Sequence, residues 1–243
     1  MLVETLTISR RFCGPSQSGN GGYVCGRIAR HIPGGAAVRL MLPPPLETEM
    51  RMEADADVVR LLHGDVLVGE ACPTVLDVSP PAVPSFAAAQ RASEAYLGFI
   101  AHSFPRCFVC GPQRTPGDGM CIFAGPLANS SIVAAPWIAD VSLARGAQIA
   151  NEFLWAALDC PSAFAILPVP EGRTVVLGEL RAQIVGAVRP GERCVIIGWP
   201  LQVEGRKRSA GSAVFSEAGV PVAIGRATWI DIAADRFPPE PIV

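Results

Sequence analysis

The feature that most constrains the fold is an internal repeat that relates the two halves of the chain. Residues 58–71 and residues 212–227 each contain an apolar strand, a short turn and a returning strand. In each half this hairpin comes after a strand, a loop and a helix with little polar surface. Two copies of one unit predict an α+β fold, in which each copy supplies one buried helix and several antiparallel strands.

The repeat divides the chain of 243 residues into three parts. Residues 1–78 form the first unit, residues 79–103 a helical connector and residues 104–243 the second unit. The connector begins with prolines and continues with an alanine-rich helical pattern from Phe86 to about Phe99. A chain of this length can bury a substantial core.

Apolar periodicity locates one helix in each unit. In the first unit an apolar residue at every fourth position predicts a helix from Tyr23 to Ile32, entered through glycines. In the second unit the segment from Gly146 to Cys160 is apolar on nearly every side, and Pro161 is expected to end it. The predicted strands are 4–12, 37–42, 49–52, 57–62, 65–75, 121–123, 132–135, 174–188, 193–200, 209–215 and 220–232.

Two acids on the second helix need an explanation. Glu152 and Asp159 are seven positions apart, which places both on one face of a helix that is otherwise apolar. One interpretation is catalysis. The other is structural, because buried carboxylates are usually bonded to backbone or arginine groups. An end of the helix at Cys160 would place Asp159 near the negative pole of the helix dipole and favour its neutral form.

A cluster of metal-binding residue types lies near the start of the second unit. Cys107 and Cys110 form a C-x-x-C followed by a turn, and His102 and Cys121 are close in sequence. Such a turn can hold zinc. No second C-x-x-C is present and the other spacings are irregular. We therefore expect packed thiols and no metal, with a structural zinc as the alternative.

One helix wrapped by an antiparallel sheet, repeated twice, resembles the hotdog fold in its double form, as in acyl-CoA thioesterases. The segment 107–111, Cys-Phe-Val-Cys-Gly, resembles the start of some phenylacetyl-CoA-type thioesterase relatives. Asn20, Gly21 and Gly22 stand where that family has His-Gly-Gly at the start of its central helix. Asp159 falls near the family's helical catalytic acid.

The resemblance implies one composite site that hydrolyses acyl-CoA or another acyl thioester. Gly21 and Gly22 would let a backbone N–H approach the thioester oxygen, and Asp159 would activate water or attack directly. Asn20 replaces the family's histidine. Glu152 is a secondary candidate with an orienting or structural role. The first unit lacks the acid and the second lacks the glycine pair, so the chain is expected to hold one site.

Coenzyme A is expected as part of the substrate, with no separate cofactor. Arg206 and Lys207 are candidates for its phosphates, and a solvated hairpin tip is the alternative. A non-catalytic acyl-ligand binding protein is the second hypothesis for function. A hotdog dehydratase ranks last, because the sequence offers no convincing pair of a histidine and an acid.

Composition limits the partners and the location. The formal net charge is −2 and no basic arm is present, which argues against nucleic acid. No apolar run reaches the length of a membrane span, and the first residues lack the pattern of a signal peptide. We expect a cytoplasmic protein. A double hotdog already contains internally the pairing that single units obtain by dimerising, and a homodimer of double units stays open.

Overall fold

The computed structural model describes residues 2–236. Within that range it contains three α-helices and thirteen β-strands. The helices are α1 (Gly21–Ala29), α2 (Phe86–Glu94) and α3 (Asn151–Phe164). The strands are β1 (Leu2–Thr7), β2 (Gly35–Leu40), β3 (Glu49–Asp55), β4 (Val58–His63), β5 (Val66–Pro73), β6 (Gly125–Pro126), β7 (Val133–Ile138), β8 (Ala144–Arg145), β9 (Gln148–Ile149), β10 (Arg173–Ile184), β11 (Arg193–Glu204), β12 (Lys207–Phe215) and β13 (Pro221–Ala233).

Eleven of these strands form one antiparallel sheet, in the order β1-β3-β4-β5-β2-β10-β13-β12-β11-β7-β6. The strands of residues 1–78 occupy one side of this order and those of residues 104–243 the other. They meet where β2 pairs with β10, with Val38 opposite Leu180. The two groups of strands therefore share one continuous sheet.

Helices α1 and α3 pack against each other over the sheet. α1 contacts β2, β4 and β5 and also β10, whereas α3 contacts β7 and β10 to β13. Two glycines one turn apart on α1 allow the close approach: a Cβ at Gly22 would lie 2.5 Å from the Cβ of Asp159, and one at Gly26 would lie 2.6 Å from the Cα of Glu152. The absence of side chains at Gly22 and Gly26 therefore sets the separation of the helices.

The second helix differs from its prediction at both ends. It begins at Asn151, because Gly146, with φ +68°, makes the turn between β8 and β9. It continues through Pro161 to Phe164. Pro161 provides no N–H for the helical ladder, but the next residue stabilises this turn: the Ser162 hydroxyl donates to the Asp159 carbonyl (2.6 Å). Asp159 thus lies inside the helix, and the prediction that it is near the negative pole was wrong.

Other differences have local causes. The first helix begins at Gly21 rather than Tyr23, since Asn20 caps it, and it ends at Ala29 rather than Ile32. The predicted strand 121–123 is absent, because Cys121 has a φ of +53°, which breaks extended backbone. The first strand ends at Thr7, and a short 3-10 helix occupies residues 10–12. The connector helix ends at Glu94 and lies across β7 and β11.

The two predicted hairpins, β4–β5 and β12–β13, are both present. Gly64 and Gly219 at their turns have φ values of +59° and +74°. Among the helices of residues 2–236, none combines the length and the apolar character that a membrane span requires.

Candidate functional site

The start of α1 is held by Asn20, which is 2% exposed. Its Oδ1 accepts a hydrogen bond from the backbone N–H of Tyr23 at 2.9 Å, which satisfies one of the donors at the helix end. Its backbone N–H donates to the carbonyl of Phe12 at 2.8 Å. These two bonds orient the side-chain amide, so its Nδ2 is directed at α3.

Asp159, also 2% exposed, is the acid to which Asn20 donates. The Oδ2 atom of Asp159 accepts hydrogen bonds from Asn20 Nδ2 at 2.9 Å and from the backbone N–H of Gly22 at 2.8 Å. Its Oδ1 atom is buried, and the described residues give it no partner. The two helices thus bring together the predicted acid, the predicted glycine and Asn20 from positions about 140 residues apart.

Burial dominates the electrostatics of this carboxyl group. Desolvation raises the pKa of Asp159 to about 7, although the hydrogen bonds from Gly22 and Asn20 favour the charged form. Cys107 raises the pKa further. Near neutral pH the group can therefore both take up and release a proton, as a general base requires.

A cavity of about 820 Å³ opens beside Asp159. Gly21, at the first position of α1, lies in its wall, and the described residues give the Gly21 N–H no acceptor. Much of the remaining wall is apolar. The side chains that contribute to it include Leu97, Phe104, Phe164, Leu167, Val175 and Trp229.

A group of sulfur atoms also lies in the wall of this cavity. It contains Cys107, Cys110 and Cys160, with His102 next to Cys110. Cys121, which the sequence placed with the C-x-x-C, lies apart, with its sulfur near the carbonyls of Arg114 and Gly119. Sequence spacing could not identify Cys160 as a member, because it is 50 residues from Cys110 along the chain.

Glu152 lies away from this arrangement. It sits in the first turn of α3, and its Oε1 accepts a hydrogen bond from Arg145 at 2.7 Å. It does not contribute to the wall of the cavity that contains Asp159. The structure thus pairs this buried acid with an arginine. Of the two interpretations of the acids, catalytic and structural, this contact agrees with the structural one.

The basic hairpin lies elsewhere as well. Arg206 is exposed at the turn between β11 and β12, and Lys207 lines a separate cleft of about 510 Å³. Arg39 and Arg181 line the same cleft, and both pair with Glu179. Among residues 2–236, the walls of the two cavities have Leu40 and Met41 in common. Arg206 and Lys207 therefore do not contact the group around Asp159.

Replacement of Glu152 by glutamine should leave catalysis nearly unchanged. The Arg145 side chain is 73% exposed, so the lost ion pair is screened by water and should cost about 1 kcal/mol of unfolding free energy or less. Urea unfolding and steady-state kinetics measure the two effects. A loss of activity of roughly a hundredfold, the scale of a general base, would instead place Glu152 in the reaction.

No family model and no curated protein matches the chain. Several solved structures do match it. A provisionally assigned thioesterase from Novosphingobium aromaticivorans matches with a TM-score of 0.59 at 13% identity, over 94% of each chain. A hotdog-fold protein of unknown function from Alicyclobacillus acidocaldarius gives a TM-score of 0.58 at 12% identity, over 95% of this chain and 93% of its own.

An acyl-CoA thioesterase II from Mycobacterium marinum is also similar, with a TM-score of 0.54 at 10% identity over 95% of this chain and 93% of that chain. These matches, together with the large antiparallel sheet, confirm the hotdog fold that the sequence predicted. At such low identities they establish the fold alone.

Proposed function

We propose that the protein hydrolyses acyl thioesters, with acyl-CoA as the substrate class, at one composite site on a double hotdog. The observation that carries the proposal is the contact between the start of α1 and the middle of α3, where Gly22 N–H and Asn20 Nδ2 hold Asp159 beside a largely apolar cavity. α1 packs mainly on strands of the first half, β2, β4 and β5, and also on β10 where the two halves meet. α3 packs on β7 and β10 to β13, all in the second half, and this division supports a two-unit architecture.

In the proposed reaction Asp159 acts as the general base. Its Oδ2 is held by two donors, so Oδ1 is the oxygen left to accept a proton from water. The hydroxyl oxygen of that water bonds to the carbonyl carbon, and the carbon–sulfur bond then breaks. The acid and the thiol are the products, and the thiolate takes up the proton that Asp159 received.

Gly21 is the proposed donor to the developing oxyanion. The resemblance implied that either glycine could serve, but the N–H of Gly22 is bonded to Asp159 at 2.8 Å. Gly21 lies in the cavity wall at the N-terminus of α1, and among the described residues its N–H has no acceptor. The helix dipole at this end favours negative charge. The roles of the two glycines therefore differ: Gly22 orients the base and Gly21 binds the carbonyl oxygen.

The shape and chemistry of the cavity support an acyl substrate. An open cavity of about 820 Å³ with aromatic and aliphatic walls can receive an apolar acyl group. Lys207 and Arg206 are proposed contacts for the phosphates of coenzyme A, whose long pantetheine arm can extend from one cavity to the neighbouring cleft past Leu40 and Met41.

Purified protein should release free thiol from at least one member of a panel of short, medium, long and aromatic acyl-CoAs. Because much of the cavity wall is apolar, we expect a higher kcat/KM for medium, long and aromatic acyl groups than for the shortest ones, which bury less apolar surface. A thiol-reactive chromophore measures the rate. If no member of the panel is turned over, the proposed hydrolysis is wrong.

One observation favours a second candidate, a non-catalytic acyl-ligand binding protein. Asn20 stands where the thioesterase family has a histidine, and both ends of its side-chain amide are already bonded, Oδ1 to Tyr23 N–H and Nδ2 to Asp159. Saturable binding of an acyl-CoA in calorimetry, without release of thiol, would support this candidate over hydrolysis.

A further inference from the structure

Three thiols and an imidazole in the cavity wall take no part in the proposed hydrolysis. The sulfur atoms of Cys107, Cys110 and Cys160 all lie within 4.8 Å of one another, and all three side chains are buried. The sulfurs of Cys107 and Cys160 are 3.7 Å apart. Zinc–sulfur bonds of about 2.3 Å at tetrahedral angles place two sulfurs about 3.8 Å apart, so the spacing fits a shared ion.

We infer that Cys107, Cys110 and Cys160 form a zinc site that links the loop at residues 107–111 to α3. Two ligands come from a C-x-x-C and the third from a helix 50 residues later. Three thiolates bind zinc in preference to magnesium or calcium, which are harder ions and favour oxygen ligands.

The backbone of the C-x-x-C is folded as a tight turn. The N–H of Gly111 donates to the carbonyl of Cys107 at 2.9 Å. A Cβ at Gly111 would lie 2.6 Å from the nitrogen of Cys107 and 2.5 Å from the carbonyl of Pro105, so only glycine fits there. This turn presents both cysteine side chains to one point, where Cys160 also arrives.

The side-chain amide that caps α1 approaches two of the three sulfurs. Asn20 Nδ2 lies 3.8 Å from the Cys107 sulfur and 4.0 Å from the Cys160 sulfur. Such N–H groups around ligating sulfurs orient them and stabilise their charge.

His102 supports the site without ligating the ion. Its Nδ1 accepts a hydrogen bond from the backbone N–H of Phe104 at 2.9 Å, so the ring proton is on Nε2. That Nε2 lies 3.4 Å from the Cys110 sulfur and donates to it.

Among residues 2–236 no histidine nitrogen or carboxylate oxygen completes the group of three sulfurs. All three cysteines line the cavity that contains Asp159, so solvent from that cavity takes the fourth position of the ion. Zinc sites that exchange a ligand have three protein ligands and one open position, whereas closed structural sites have four protein ligands. The group of three cysteines matches the open type.

The test uses the full chain, purified under reducing conditions and without chelator. Mass spectrometry of the metal content should find about one zinc per chain. After chelation, titration with cobalt(II) should give an intense thiolate-to-cobalt absorption band in the near ultraviolet that saturates near one equivalent, and added zinc should remove it. Absence of both the zinc and the absorption band would overturn the inference.

Variants locate the site. Cys107→Ser and Cys160→Ser should each weaken cobalt affinity by more than about tenfold. Cys121→Ser is the matched control, since its sulfur lies near two carbonyls outside the group, and it should bind cobalt as the unchanged chain does. Equal affinity in Cys160→Ser would overturn the assignment. The spectrum of the unchanged chain decides the question even where a variant does not fold.

The competing arrangements also have measurable signatures. A disulfide between Cys107 and Cys110 would lower the intact mass by about 2 Da, resist thiol alkylation and exclude the ion. Packed thiols would titrate fully with a thiol reagent but give no cobalt spectrum. Either result overturns the zinc site. Neither depends on thioester turnover, so failure of the metal test and failure of the hydrolysis test are distinguishable.

Discussion

Replacement of Asp159 by asparagine should lower kcat for the preferred acyl-CoA by roughly a thousandfold, the contribution of a positioned general base. The side-chain carbonyl of asparagine can still accept from Gly22 N–H and Asn20 Nδ2, which hold Oδ2 at 2.8 and 2.9 Å. An amide cannot take a proton from water, however. The change therefore removes the base and keeps the architecture, so KM should move less than kcat.

Glu152→Gln is the matched control for that measurement. It makes the same carboxylate-to-amide change on the same helix, at a buried position outside the cavity wall. Steady-state kinetics on both variants, with circular dichroism to verify folding, separates loss of the base from a general effect on α3. If Asp159→Asn retained activity within about tenfold of the unchanged chain, Asp159 would not be the base.

The second large effect concerns stability. Gly26→Ala should lower the free energy of unfolding by about 3 kcal/mol or more, although alanine alone favours a helix by about 1 kcal/mol over glycine. The new Cβ would lie 2.6 Å from the Cα of Glu152 and 2.8 Å from the Cβ of Trp155. Neither atom can move by a side-chain rotation, so α1 and α3 must separate.

Gly34→Ala controls for the cost of replacing a glycine without a clash. Gly34 has a φ of +78°, and a Cβ there would meet nothing within 4 Å. Its substitution should cost about 1 kcal/mol from backbone strain alone. Urea unfolding of both variants measures the difference. Equal losses for Gly26→Ala and Gly34→Ala would show that close packing of the two helices does not limit stability.

In Gly26→Ala, separation of the two helices should affect activity as well as stability. Gly26 is one turn from Gly22, whose N–H bonds to Asp159. If α1 moves outward, that hydrogen bond lengthens, and activity should fall together with stability. The glycines of α1 thus connect the packing of the fold to the geometry of the candidate site.

Much of the fold was predictable from the sequence because its signals are local. Alternating apolar residues identified the hairpins β4–β5 and β12–β13, and apolar periodicity identified α1 and α3 apart from their ends. The helix ends differed from prediction where a neighbouring residue decided them. Pro161 was expected to stop α3, but the Ser162 hydroxyl bonds to the Asp159 carbonyl and α3 continues to Phe164.

The sequence by itself determined which residue types are available at the candidate site: an unexplained acid at Asp159, a glycine pair after Asn20, and a C-x-x-C. Only the tertiary structure decided which atoms meet. It assigned the Gly22 N–H to Asp159, placed Gly21 in the cavity wall, and brought Cys160 rather than Cys121 to the C-x-x-C. The physical reason is that periodicity and capping act over a few residues, whereas these contacts depend on the close packing of α1, α3 and the loop at 107–111.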